Sequence, residues 1–217
     1  MNYEKSDDAF KYTFEMGMNS MTIYTWTSTM KYAGYAGVTE ADDRKIWWTD
    51  ELIGDPLPTL ENWNLPRMVQ YLGSAKKKRK PVKIGDAPSA GSAYLISQNA
   101  AETLSDIWER DAILYPVILE DSADKYYMVV ARHVIDCLDR EKSAGPRHTY
   151  GPTPELFASL EEWVFDESAL GEHDLFRLPD SKTTYYLTER FKQRVIEAGL
   201  KGFCLNQRAW EEKPFIS

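Results

Sequence analysis

The sequence predicts an α+β fold, a mixed but mainly antiparallel sheet with a few packed helices. Three observations carry this. Several short runs are rich in β-branched and aromatic residues, as in Met21-Thr22-Ile23-Tyr24-Thr25-Trp26. Helical spacing of apolar residues is confined to a few segments, the clearest following Ser97 and Thr188. Strands and helices do not alternate regularly, as a parallel βα fold would require.

Residues 1–20 are polar and weakly patterned, and they read as an extension ahead of the first strand, which begins at Met21. Arg44 to Trp48 reads as another short strand, Gly54 to Pro58 as a Pro-bounded loop, and Met68 to Leu72 as a further strand. Lys76-Lys77-Lys78-Arg79-Lys80 is a dense run of like charge, which favours a solvated segment, and Gly85 to Gly91 continues it as loop. The chain therefore divides into a β-rich part (1–72), a basic and Gly-rich connection (73–92) and an α+β part (93–217), together one compact domain.

Ser97 has the chemistry of a helix N-cap, and Ala100, Ala101, Leu104, Ile107 and Trp108 follow on one face. Ile113–Leu119 and Tyr126–Ala131 read as a hairpin across the polar turn Glu120–Asp124. Gly145-Pro146 and Gly151-Pro152 mark an excursion. Thr153-Pro154-Glu155 suits a helix opening, with Leu156, Leu160 and Trp163 on its face, although Trp163-Val164-Phe165 has strand character. Thr184–Leu187 is a strand. Thr188 caps a helix whose stripe is Phe191, Val195 and Ile196, Gly199 closes it, and Phe203–Leu205 returns as a strand.

Composition narrows the function. The 217 residues carry 34 acidic against 26 basic side chains, a formal charge of −8, which opposes general binding to nucleic acid or anionic membrane. It suits a partner with a basic surface. Two cysteines, Cys137 and Cys204, are too few for a disulfide framework and read as buried thiols. The first thirty residues hold acidic groups and no apolar run, so no secretory signal is expected and the protein reads as cytoplasmic.

No reaction is written in the residues. Cys137 follows His133 by four positions, which in a strand separates them by ~13 Å. His133, His148 and His173 lack the short spacing of a metal pair, and adjacent residues of Glu172-His173-Asp174 would point to opposite faces if extended. Glycine patterns that cradle phosphate are absent from the sequence. The expectation is neither enzyme nor cofactor protein.

Five blocks carry a resemblance: Tyr115–Leu119, Asp136–Ser143, Phe176–Pro179, Tyr186–Phe191 and Ala198–Phe203. In order and spacing they resemble the immunity proteins of bacterial polymorphic-toxin systems, the family typified by a myxobacterial member. The similarity spans about residues 92–206, where Asp136-Cys137-Leu138-Asp139-Arg140-Glu141-Lys142-Ser143 is similar to that family's Asp-x-Leu-Asp-x-x-x-Ser block. The resemblance implies an antitoxin-like protein of interbacterial competition, including type VI secretion, that binds and neutralises a cognate secreted toxin. Acidic segments would meet a basic toxin cleft, with Asp42 and Asp43 in one, and Glu120, Asp121 and Asp124 in another. Trp47 and Trp48 would supply aromatic anchors. Asp136 and Asp139 either satisfy turn amides or face the partner. Two other readings stay open: an enzyme reversing a toxin's modification, and a nucleic-acid module using Lys76–Lys80.

Overall fold

The computed structural model describes residues 21–29, 31–47, 59–73, 80–91, 93–148, 155–207 and 215–217. Two sheets and their helices make an α+β fold, as expected. The strands are β1 (Ile23–Thr27), β2 (Tyr35–Gly37), β3 (Arg67–Gln70), β4 (Ser89–Ala90), β5 (Ala93–Ser97), β6 (Ala112–Leu119), β7 (Tyr126–Ala131), β8 (Leu175–Leu178), β9 (Ser181–Thr188), β10 (Cys204–Asn206) and β11 (Phe215–Ile216). The α-helices are α1 (Glu40–Trp47), α2 (Gln98–Thr103), α3 (Ser105–Asp111), α4 (Glu167–Leu170) and α5 (Glu189–Glu197).

One sheet has the order β11-β10-β1-β9-β8 and the other β2-β3-β6-β7-β5-β4. Pairing between named strands is antiparallel except for β3 against β6. The β6–β7 hairpin runs in register from Ala112↔Ala131 to Val117↔Tyr126.

Alternation along the strands assigns each face. Tyr24 and Trp26 of β1, Ile96 of β5, Val129 and Ala131 of β7 and Leu187 of β9 meet Trp108, Phe191 and Phe203 in a core shared by both sheets. Two tyrosines bridge the sheets inside it: Tyr94 donates to the Trp26 carbonyl at 2.7 Å, and Tyr185 to the Val129 carbonyl at 3.1 Å. The opposite face of the six-stranded sheet buries Met68, Leu95, Tyr115 and Met128 under Trp63 and Ile84. The opposite face of the five-stranded sheet buries Ile23, Phe176 and Tyr186 under Cys137, Leu138, Phe157 and Leu160. These last four lie in the excursion between β7 and β8, which is held by single bridges such as Leu138↔Phe165 and Ala144↔Glu162.

Both predicted caps form. Ser97 accepts from the Ala100 amide, and Thr188 from the Phe191 amide at 3.2 Å. Gly199 takes the left-handed conformation (φ 64°), with Leu200 buried behind it.

Four expectations are corrected. Arg44–Trp47 is the end of α1 rather than a strand, because Thr39 and Asp42 form a reciprocal cap. The Asp42 amide donates to Thr39 Oγ1, and the Thr39 amide donates to Asp42 Oδ2, each at 3.2 Å. Residues 155–163 do not continue a helix from Thr153, which lies outside the described residues. Phe157 instead pairs with Arg147, and Asp180 takes the Phe157 amide at 2.7 Å. Ile196 is exposed while Phe191 and Val195 are buried, so the α5 stripe is narrower than read. The Gly85–Gly91 segment contributes β4, which pairs with β5. The Gly54–Pro58 loop and Lys76–Arg79 lie outside the described residues.

Candidate partner-binding surface

Arg67 organises the end of the six-stranded sheet where β2, β3 and β6 lie side by side. Its amide donates to Asp42 Oδ1 at 3.1 Å, and its guanidinium donates to Glu120 at 2.8 and 3.0 Å. The two acidic segments, nearly eighty positions apart in sequence, are thereby neighbours. The Arg67 contact holds the Glu120 carboxyl below its ordinary range.

The acids are not equivalent. Asp42 is buried, and besides Arg67 it holds the amide and hydroxyl of Thr39. Asp43 takes the Gly37 amide at 2.6 Å, which pins α1 against β2. A Cβ at Gly37 would come within 2.3 Å of the Asp43 nitrogen, so only glycine admits this approach. Asp121 accepts from Tyr35 at 3.0 Å and Gln70 at 3.4 Å, and Asp124 is exposed on the turn. Trp47 ends α1, and Trp48 lies outside the described residues.

Beside these acids is apolar surface that packing leaves uncovered. On β3, Met68 and Gln70 point into the protein while Arg67 and Val69 point out, and Tyr71 continues the outer row. Arg67 lies opposite Ile118 of β6, which also points out. Val69, Tyr71 and Ile118 are 44%, 63% and 42% exposed; Leu60 and Leu65, shortly before β3 in the chain, are exposed too, as is Val38, whose amide donates to the Arg67 carbonyl. Sequence reasoning missed this row. Its signal was available as the alternation from Arg67 to Tyr71, but nothing local told which face was outside.

Asp136 and Asp139 lie elsewhere, in the excursion over the five-stranded sheet. Asp136 is exposed and pairs with Arg140 at 2.6 Å. Asp139 accepts the amides of Glu141 and Lys142 at 3.2 and 3.1 Å, and Ser143 Oγ accepts the Val164 amide at 3.0 Å. Asp139 thus satisfies turn amides, while Ser143 ties the excursion to the segment at Val164.

A second polar cluster sits at the other end of β6. Asp111 is wholly buried, accepting from Arg110 at 3.1 and 3.0 Å and from the amides of Asp174 and Leu175 at 2.8 and 3.2 Å. His173 Nδ1 lies 2.8 Å from Asp111 Oδ1. Asp174 pairs with both Arg110 and Arg190 and accepts from Thr188. Burial pushes the Asp111 carboxyl up, but its hydrogen bonds to Arg110, His173 and the Asp174 amide outweigh this and leave it lowered. His133 is drawn to this cluster through the Arg110 carbonyl at 3.0 Å. Cys137 is buried where the excursion packs on the five-stranded sheet, with its thiol pushed up to about 12 by burial, which removes the thiolate a nucleophile needs.

Among the described residues no helix is long and apolar enough to cross a membrane. A search of curated proteins finds no match to the chain. Residues 117–209, fewer than half of the 217, match the model of the Immunity protein family (Imm11). That stretch contains the last four of the five blocks entire. The resemblance to immunity proteins is therefore borne out over residues 117–209, and the function that this similarity suggests is toxin immunity.

Proposed function

We propose that this protein confers immunity by binding a cognate secreted toxin, with the outer face of β2, β3 and β6 as its docking surface. The observation that carries this is the exposed row Val69, Tyr71 and Ile118 beside Glu120, Asp121 and Asp124. Apolar side chains that share one face and are edged by charge are characteristic of protein-binding sites. An aromatic residue such as Tyr71 is the type that anchors them.

Charge complementarity supports a basic partner. The chain carries a net −8, and Glu40, Glu120 and Asp124 are exposed around the row. Such charges speed encounter and select the partner, while the apolar centre supplies most of the affinity. A standard interface would cover ~800 Å² on this protein, which the row and its acidic edge can fill together with neighbouring residues. On this reading Asp42 and Asp43 shape the surface from beneath. Neutralisation follows from occupancy, with the toxin's basic substrate-binding surface covered in the cytoplasm.

The test is co-expression with the product of the adjacent gene, scored by survival and co-purification. Expected are protection by the native protein and loss of both readouts in a Val69→Asp/Tyr71→Ala/Ile118→Asp variant that remains folded by circular dichroism. Undiminished protection by that variant would place docking elsewhere. A neighbour that is harmless and does not co-purify would remove the immunity reading for this gene pair.

A further inference from the structure

Asp111, His133 and His173 come from three separate places: the last residue of α3, the segment after β7 and the approach to β8. Among the described residues they form the one group of three metal-ligating side chains whose ligand atoms all lie within 4.8 Å of one another. Asp111 Oδ1 is 2.8 Å from His173 Nδ1 and 3.9 Å from His133 Nε2, and the two rings lie with centroids 4.1 Å apart. Tetrahedral ligands at ~2.0–2.2 Å from an ion are ~3.3 Å from each other. The two Asp111 separations bracket that value and the third pair lies within 4.8 Å, so shifts on the order of an ångström close the set.

We propose that Asp111, His133 and His173 form a binding site for a transition-metal dication of the zinc type. Two imidazoles with one carboxylate suit such borderline ions, whereas Mg²⁺ and Ca²⁺ prefer all-oxygen sites. The carboxylate is already oriented by Arg110 and by the amides of Asp174 and Leu175. Such outer bonds hold metal ligands in place. Asp111 is fully enclosed, while the His133 and His173 side chains remain 33% and 31% exposed. Ion entry is therefore from the histidine side, and a position there stays open to water.

Fixed charge does not forbid the ion. Arg110 and Arg190 stand beside the site, but Asp174 binds both, and with Asp111 it balances them. Loading changes two local contacts. The proton between His173 Nδ1 and Asp111 moves to that ring's Nε2, and His133 gives up its 3.0 Å Nε2–H contact with the Arg110 carbonyl, its proton moving to Nδ1 so that Nε2 is free for the ion. The bound ion would tie α3 to the segments that flank β8. It lies at the opposite end of β6 from Ile118, so the docking proposal does not depend on it.

The experiment uses the full chain, stripped with a chelator and titrated with Zn²⁺, and separately with Mg²⁺, by calorimetry and thermal unfolding. Expected are one equivalent of Zn²⁺ with a raised unfolding midpoint, and no response to Mg²⁺. His133→Asn and His173→Asn should each weaken Zn²⁺ binding about 100-fold or more, since even outer-layer changes cost 10–100-fold. No binding up to millimolar Zn²⁺, or unchanged affinity in both variants, would overturn the site. Should a variant fail to fold, the Co²⁺ absorption spectrum of the native protein decides. A nitrogen–oxygen ligand spectrum supports the site, and that of the free aqua ion overturns it.

Discussion

Arg67 and Glu120 share two hydrogen bonds, of 2.8 and 3.0 Å, across the only parallel strand pair among the named strands. The pair lies on the outer face, where an exposed ion pair adds little stability, and in the proposed docking surface it serves recognition instead. Glu120→Arg should leave the urea midpoint unchanged and slow association with a basic toxin about tenfold at low salt. The deficit should shrink near about 0.5 M salt, where exposed charges are screened. Stopped-flow association over an ionic-strength series measures both.

Asp42 has the opposite character, being buried and bonded to Thr39 and to the Arg67 amide. Asp42→Ala removes the reciprocal cap of α1 and should cost about 1–2 kcal/mol in urea unfolding. Asp42→Asn, which keeps an acceptor oxygen, should lose less.

Trp26 lies 4.7 Å from Tyr94, 5.2 Å from Phe203 and 6.4 Å from Trp108, centroid to centroid, in the core shared by both sheets. Trp26→Ala should therefore destabilise by about 3–5 kcal/mol. Chemical denaturation followed by far-UV dichroism would detect it.

Glu189 provides a pH test. Burial raises its carboxyl, but bonds from Tyr24, Gln193 and Lys192 prevail and lower it below its ordinary 4.5. A lowered carboxyl stabilises the folded state fully above the unfolded value, and this contribution fades as pH falls through the folded value. Glu189→Gln should be destabilising at pH 7, with the difference from the native protein closing from pH 4.5 downward. Urea midpoints at several pH values would show it.

Both thiols should be inert in the folded protein. Cys137 and Cys204 are buried, and burial raises both, the first to about 12. Thiol reagents at pH 8 should label neither until denaturant is added.

Legibility in the sequence followed the range of the interactions. The β6–β7 hairpin and the caps at Ser97 and Thr188 depend on neighbours within a few residues, and they were readable. The α1 helix was misread because aromatic residues at Trp47 and Trp48 outweighed the Thr39-x-x-Asp42 cap, whose signal was present. The residues after Thr153 were misread because Arg147, ten positions before, and Asp180, twenty-three after, claim Phe157. The proposed docking face was half visible: its acidic segments could be named from the sequence, but the outward row on β3 could not. The Asp111 cluster was hidden altogether, since His133 and His173 are forty positions apart and meet only through folding.

β1 occupies the middle of its sheet, with Tyr24 opposite Leu187 and Trp26 opposite Leu205. Both partners lie more than 160 positions downstream, so loop closure over most of the chain precedes this pairing. During translation the Trp26 strand must wait, apolar and unpaired, until the ribosome has delivered the last third of the polypeptide. A cell relying on this protein thus gains a functional molecule only some time after its synthesis begins, and a store made in advance is worth more to it than a rapid burst of expression.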